Sequence, residues 1–255
     1  MAEGLELLRS ALDASVAVEA VYVAAEGVGD PAVGALTDRA LEAGLRVFEL
    51  EPGVLAKLAD TVTPQPVLTV VAMADRPRAE LAGASLVVVC AEVRDPGNLG
   101  TVLRSADASG VDAVVCAAGT VDPYNPKTVR SSAGSIFHVP LVVDDDTAGV
   151  LDDLGRAGVT RLGTDVRSGA DYAAVDWRVP TAVVLGNESA GLPPGLESRL
   201  DGLVHIPMAG RAESLNVGVA AAVLCFEALR QRRVGPGPAT PGSTMPPMTA
   251  REDTR

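Results

Sequence analysis

The stretch Thr181–Leu229 reads TAVVLGNESAGLPPGLESRLDGLVHIPMAGRAESLNVGVAAAVLCFEAL. Two short apolar runs in it, Thr181–Leu185 and Leu203–Ile206, have the length and unbroken hydrophobicity of buried strands. Each ends in a polar loop. Gly186-Asn187-Glu188-Ser189-Ala190-Gly191-Leu192 follows the first, and Pro207-Met208-Ala209-Gly210-Arg211-Ala212 follows the second. Glu213-Ser214-Leu215-Asn216 then opens an Ala/Val-rich helix expected to run to about Arg233. Open α/β sheets take ligands at the carboxyl ends of adjacent strands, so these loops and the helix start form the candidate site.

Upstream, Leu86–Cys90 is a near-continuous apolar run, as a parallel strand buried on both faces should be. A helix is expected over Asn98–Ser109, a strand over Ala113–Cys116, and a short helix that includes Val129–Ser132. Val139–Val143 and Val159–Thr164 read as strands, with a helix between them capped by Thr147. These runs give about six strands separated by helices, the pattern of a parallel α/β sheet. Residues 1–74 form a smaller α/β unit. Its expected helices are Leu5–Leu12, Pro31–Ala43 and one started by Pro52 that reaches Ala59. Its expected strands are Ala17–Ala24, Leu45–Leu50 and Val67–Met73. Ala2-Glu3-Gly4 reads as the end of a first strand whose beginning lies upstream. Residues 75–84, with Pro77 and Gly83, read as a linker, residues 85–233 as the larger domain, and the Pro/Gly/Ser/Thr-rich residues 234–255 as a disordered tail.

The 255 residues are 47% hydrophobic, enough for a sizeable core. No apolar run reaches the length of a membrane span and no signal peptide precedes residue 20, so a cytoplasmic protein is expected. Cys90, Cys116 and Cys225 lie in apolar runs and read as buried reduced thiols. His138 and His205 have no second soft ligand nearby in sequence, so no metal site is expected. The net charge of −12 argues against a general polyanion binder, because nonspecific affinity for nucleic acid comes from Lys and Arg. Residues 1–74 alone carry a net charge of −7. A local basic strip remains available in Arg94, Arg104, Lys127 and Arg130, all near the candidate loops.

A helix opening at Asn98 after a buried strand would present backbone N–H groups to the sheet's carboxyl edge. Arg104 lies less than two turns on. It suits bidentate phosphate binding, or a surface pair with Asp107 or Asp95. Glu188 in its loop reads as a charge at a helix start or as a site carboxylate, and Ser214 and Asn216 as helix caps. In DPYNPKTVRSSAGS, Asn125-Pro126 signals a helix start, and Lys127 and Arg130 share one helical face. That face is either solvated or a phosphate contact.

Three ordered pieces carry a family resemblance: DPGNLGTVLRSADASG (Asp95–Gly110), LGNESAGL (Leu185–Leu192), and HIPM with ESLNVGVAAAVLCFEAL (His205–Leu229). They resemble the motifs of the SPOUT superfamily, in its TrmH (SpoU) branch of RNA 2′-O-ribose methyltransferases. The resemblance implies a parallel-sheet C-terminal domain with a deep trefoil knot, preceded by a small domain similar to RNA-binding ribosomal proteins. It implies a homodimer, S-adenosylmethionine as cofactor, and RNA as substrate, ribosomal RNA first and transfer RNA as the alternative. It marks Arg104, Asn98, Glu188, Ser214 and Asn216 as catalytic. It assigns Leu185, Gly186, Asn187, Gly191, Ile206, Pro207, Met208 and Leu215 to the cofactor, and Lys127 and Arg130 to RNA. Main-chain loops with few formal charges suit such a cofactor, since its adenine wants backbone groups in an apolar slot and its sulfonium is repelled by fixed cations. Two rivals stay open. A dinucleotide oxidoreductase would show GxGxxG, and Gly97-Asn98-Leu99-Gly100 lacks the third glycine. A noncatalytic RNA-binding protein would keep the fold without the motif residues.

Overall fold

The computed structural model describes residues 1–58 and 63–234. Ala2–Glu3 (β1), Val18–Ala24 (β2), Val47–Leu50 (β3) and Val67–Val71 (β4) make a four-stranded sheet in the order β1-β4-β2-β3. Only the β2–β3 pair in it is parallel. Alternation along the strands splits the side chains. Val21, Val23 and Val67 pack with Leu8 of helix Leu5–Asp13 (α1) and Val33 and Ala40 of helix Pro31–Glu42 (α2). Ala24 and Leu68 face the other way, onto Leu55 of helix Val54–Leu58 (α3). Asp30 caps α2 by accepting the Ala32 N–H at 2.7 Å, with Pro31 at the first helical position, where its fixed φ and missing donor cost nothing.

The helix expected from Pro52 begins instead at Val54. Gly53 sits at φ +75° in a turn that no helix accommodates, and its N–H is taken by Glu26 at 3.1 Å. The expected continuation to Ala59 falls outside the described residues, as does the tail beyond Val234.

The second sheet holds Leu86–Cys90 (β5), Ala113–Ala117 (β6), Leu141–Asp144 (β7), Thr160–Thr164 (β8), Ala170–Asp171 (β9), Thr181–Leu185 (β10) and Gly202–His205 (β11). Its order is β7-β6-β5-β10-β8-β11-β9 and every pairing is parallel. Helices Pro96–Ser109 (α4), Pro126–Ser131 (α5), Thr147–Arg156 (α6) and Val217–Val234 (α7) complete it. Leu86, Val88, Cys90, Val183 and Leu185 pack under α4 and α7 with Leu99, Val102, Leu103, Leu224 and Cys225. Val87, Val89, Ala182 and Val184 pack on the opposite face with Val150, Leu151 and Leu154 of α6. All of β5 and β10 is buried, which is why neither strand alternates in sequence. Fully burying each Val or Leu contributes about 1.5–3 kcal/mol. At the far end of α7 the Arg232 guanidinium donates to the Trp177, Ser85 and Val179 carbonyls at 2.8, 2.7 and 3.2 Å, tying the helix to the start of β5 and β10.

Several boundaries differ from expectation. The strand expected at Val139 starts at Leu141, because Pro140 has no N–H to give. The cap of α6 is Asp146, which accepts the Gly149 N–H at 2.9 Å, rather than Thr147. The two-residue β9 adds a seventh strand, too short to leave a pattern. α4 starts at Pro96, two residues early, since Asp95 caps it. Two features join the sheets. Ala2 and Leu7 belong to the same buried cluster as Val129 and Ile136. Gly134, at φ +95°, sits so close to α1 that a Cβ on it would lie 2.1 Å from Ser10 Oγ. Along residues 75–84, Arg78 pairs with Asp153 at 2.8 Å and with Asp146 and Asp144 at 3.3 and 3.4 Å, and Leu81 is buried.

Candidate active site

Two strand ends and two helix starts build the site. β5 runs into a loop in which Glu92 adopts φ +66°, a conformation uncommon outside glycine. Asp95 then caps α4, its Oδ1 accepting the Asn98 N–H at 2.9 Å. The N–H expected to be open to a phosphate at Asn98 is therefore already satisfied. Burial opposes ionisation of Asp95 less than that N–H favours it, and Lys127 Nζ adds a contact at 3.4 Å, so its carboxyl is held below the usual range.

β10 ends at Leu185, and the loop beyond closes on itself. Asn187 and Gly191 exchange backbone hydrogen bonds at 2.8 and 3.0 Å. Asn187 Oδ1 accepts the Ser189 and Ala190 N–H groups, each at 3.0 Å, while its Nδ2 donates to the Glu92 carbonyl at 3.1 Å. That turn aims Glu188 at the start of α4. Glu188 Oε1 accepts Asn98 Nδ2 at 2.9 Å and the Asp95 N–H at 3.3 Å, and Oε2 accepts the Arg94 N–H at 3.4 Å. Partial burial works against the charge on Glu188, but the Asn98 amide and these backbone donors outweigh it and lower its pKa.

The relay continues across the site. Asn216 Nδ2 donates to Asn98 Oδ1 at 2.7 Å, and Asn216 Oδ1 accepts the Gly218 and Val219 N–H groups at 2.9 and 3.3 Å. Asn216 is thus the cap of α7, and the helix begins at Val217 rather than at Ser214. One unbroken chain of side-chain bonds runs from Glu188 through Asn98 to Asn216. It forces each amide into one orientation, because every acceptor in it meets a donor.

Beside the relay lies a cavity of about 400 Å³, within the roughly 300–1,000 Å³ range of small-molecule sites. Asn98, Leu185, Gly186, Asn187, Glu188, Gly191, Ile206, Met208, Ser214, Leu215 and Asn216 all line it. Pro207, although on the same loop, does not. Arg104 is also outside: it is exposed on α4 and makes no hydrogen bond or ion pair with the described residues, so neither Asp107 nor Asp95 pairs with it. Lys127 and Arg130 share α5, next to the start of α4, and Lys127 is held by Asp95. Thr164, Asp165, Val166, Val204, Val217, Ala220 and Leu224 also line the cavity. These lie at the end of β8, within β11 and along α7, outside the loops after β10 and β11. The available signal was the carboxyl end of β8, next to β10 in the sheet.

No Lys, Arg or His is among the described residues lining the cavity, which makes it a poor anion site and a permissive one for a cation. Apolar walls with backbone edges at Leu185–Gly186, Ile206 and Leu215 fit a flat heterocycle. The donor set therefore fits a sulfonium nucleoside. The three cysteines are buried and unpaired, and burial pushes each thiol up, to about 12 for Cys116 and Cys225. No group of three or more His, Cys, Asp or Glu among the described residues has metal-binding proximity.

Residues 1–69 match the MRM3-like substrate binding domain. The 23S rRNA (guanosine(2553)-2′-O)-methyltransferase RlmP of Bacillus subtilis is 41% identical over 186 residues, 73% of each chain. The 23S rRNA (uridine(2479)-2′-O)-methyltransferase of Streptomyces viridochromogenes is 42% identical over 151 residues, 57% of this chain and 53% of that one. The crystal structure of the SpoU methyltransferase AviRb from S. viridochromogenes, in complex with AdoMet, superposes with a TM-score of 0.79 at 31% identity, covering 92% of this chain and 90% of that one. With residues 85–226 matching its model, this chain belongs to the SpoU rRNA Methylase family.

Proposed function

We propose that the protein transfers a methyl group from S-adenosylmethionine to a ribose 2′-hydroxyl of ribosomal RNA. The observation that carries this reading is a cavity, lined among the described residues by no Lys, Arg or His, that the Glu188–Asn98–Asn216 relay closes on one side. When bound, the cofactor supplies an already activated methyl, so positioning provides much of the rate. Leu185, Gly186, Asn187, Gly191, Ile206, Met208 and Leu215 would hold it, with Pro207 stiffening the loop between Ile206 and Met208.

Glu188, Asn98, Asn216 and Ser214 set the shape of the reacting edge. Glu188 keeps Asn98 in place, and Asn98 and Asn216 hold each other and the start of α7. Arg104, exposed and without a partner among the described residues, binds the target phosphate and ribose through its planar fork. Its fixed positive charge favours loss of the hydroxyl proton. A guanidinium stays protonated in proteins, so a phosphate or water accepts that proton. Lys127 and Arg130 on α5 contact the RNA backbone beside it.

The architecture completes the reading. Residues 1–74 serve as a substrate-binding domain and residues 85–233 as the methyltransferase domain, joined by 75–84. The C-terminal segment threads a loop to make a trefoil knot. Two copies associate through the larger domain. Val219 and Phe226, seven residues apart on one face of α7, are 45% and 46% exposed in the single chain, and a partner helix would cover them. Among the described residues no helix is long and apolar enough to cross a membrane, and the protein acts in the cytoplasm. The test is transfer of tritiated methyl from S-adenosylmethionine to fractionated RNA, followed by mapping of ribose methylation. Label in ribosomal RNA at a 2′-oxygen is expected. Label confined to transfer RNA, or to bases, overturns the reading.

A further inference from the structure

The cavity has a second polar end that the relay does not touch. In the sheet β10 lies between β5 and β8. Glu188 is held to the β5–α4 side, whereas Thr164, Asp165 and Val166 line the cavity from the β8 side. The turn after β8 is rigid. Asp165 Oδ1 accepts the Arg167 and Ser168 N–H groups, both at 2.8 Å. The Asp165 N–H donates to the Val204 carbonyl at 3.0 Å. Gly169, at φ +97°, lies so near β11 that a Cβ on it would be 2.2 Å from the Leu203 carbonyl oxygen, and the Gly169 carbonyl is 3.2 Å from His205 Nδ1. The carboxylate is therefore positioned before any ligand arrives, and a group so held loses little freedom on binding.

We propose that Asp165 accepts the hydroxyls of the cofactor's ribose and makes the cavity selective for ribonucleosides; this rests on the methyl-donor reading above. The reacting methyl must face the relay and the RNA, so the Asp165 end receives a part of the cofactor remote from the chemistry. A carboxylate offers paired acceptors and a vicinal diol offers paired donors. Acidic side chains near strand ends read ribose hydroxyls in this way in other α/β sheets. The neighbouring walls, Val166, Val204, Ala220 and Leu224, are apolar. A neutral diol can donate to Asp165 there without burying a second charge, whereas the cofactor's ammonium would carry a desolvation cost.

The experiment is calorimetric binding to the full chain of S-adenosylmethionine, S-adenosylhomocysteine, 5′-methylthioadenosine and the 2′,3′-dideoxy form of methylthioadenosine. In the wild type, methylthioadenosine should bind roughly tenfold to a hundredfold more tightly than its dideoxy form, the range of hydrogen bonds to a charged acceptor. Asp165→Asn keeps an oxygen for the Arg167 and Ser168 N–H groups, so the turn should survive. That variant should weaken the three ribose-bearing ligands by one common factor and leave the dideoxy compound unchanged. Loss confined to S-adenosylmethionine would assign Asp165 to the sulfonium, and loss shared by it and S-adenosylhomocysteine alone would assign it to the ammonium. Either result overturns the proposal, as does no loss at all. Equal wild-type affinity for methylthioadenosine and its dideoxy form overturns it without need of the variant. A wild type that binds none of the four removes the methyl-donor reading as well, whereas a wild type that binds normally beside an unaffected Asp165→Asn removes only this assignment.

Discussion

The loops of the candidate site and the first sheet are held by different physics. Around the candidate site, loop geometry is set by polar contacts of defined direction: Asp95 and Asn216 cap helices, Asn187 closes a turn, and Glu188 and Asn98 join the two helix starts. The first sheet depends on apolar packing of α1 and α2 on β2 and β4, with polar contacts between its helices, such as Arg39 of α2 to Asp13 of α1 at 2.6 Å between exposed side chains. Packing tolerates changes in detail and fixes position loosely, whereas a directional relay fixes atoms and fails when one member is lost. The difference makes the first sheet tolerant of small changes in its contacts and the candidate site intolerant of them.

Five perturbations test that division, from the largest expected effect to the smallest. Leu8→Ala empties a site that is 0% exposed under the first sheet and should cost about 2–5 kcal/mol. Denaturant unfolding should show this, while cofactor binding at low temperature stays near wild type. A matching collapse of cofactor affinity would mean that the two regions are not separable. Arg104→Ala should do the opposite. Melting should be unchanged and cofactor affinity kept, with methyl transfer reduced by roughly 30- to 1000-fold, about 2–4 kcal/mol in the transition state. Single-turnover rates beside calorimetry would expose a wrong assignment, since near-normal turnover or a parallel loss of binding contradicts it. Arg104→Lys should recover little, as a point charge lacks the fork.

Gly134→Ala probes the junction. The added Cβ meets Ser10 at a left-handed φ, so stability should fall by about 1–3 kcal/mol. Ser10→Gly in the same chain should restore part of it, and a double-mutant cycle with no coupling would show that this contact does not join the regions. Asn216→Ala removes the α7 cap and the partner of Asn98 together. A loss of about 1 kcal/mol is expected from the cap, accompanied by weaker cofactor binding, and stability loss without any binding loss would uncouple the relay from the cavity. The smallest effect concerns pH. The pKa of Glu188 is lowered in the folded state. Its contribution is therefore fully present above the unfolded carboxyl value, about 4.3, and is lost as pH falls through the lower folded value. Unfolding curves of wild type and Glu188→Gln should converge as pH drops below that point, and a constant gap would show that the charge is not what the relay stabilises.

Much of the second sheet was legible because buried parallel strands leave unbroken apolar runs. β5 and β10 fell where the runs were, and the cysteines in or near those runs are buried and unpaired as expected. The family was legible for a different reason: loops such as Leu185–Leu192 must present particular polar atoms, so their letters carry chemistry directly. Helix starts were read less well. Asp95 caps a helix that was expected to open at Asn98, and Asp146 caps where Thr147 was expected, since capping depends on which nearby side chain reaches the free N–H, and several neighbours in sequence qualify.

What the sequence determined by itself was the alternation of buried strands and helices, the polar loops that end β10 and β11, and the residue types available to a methyl-transfer site. Only the tertiary structure decided which of those residues meet. Glu188, Asn98 and Asn216 are separated by 90 and 118 positions and still share hydrogen bonds, because β10 inserts beside β5 and α7 returns onto α4. It likewise left Arg104 outside the cavity and brought Asp165 to its edge. Sequence spacing records reach along one element, and the order in which strands pair is set by long-range packing that no local pattern encodes.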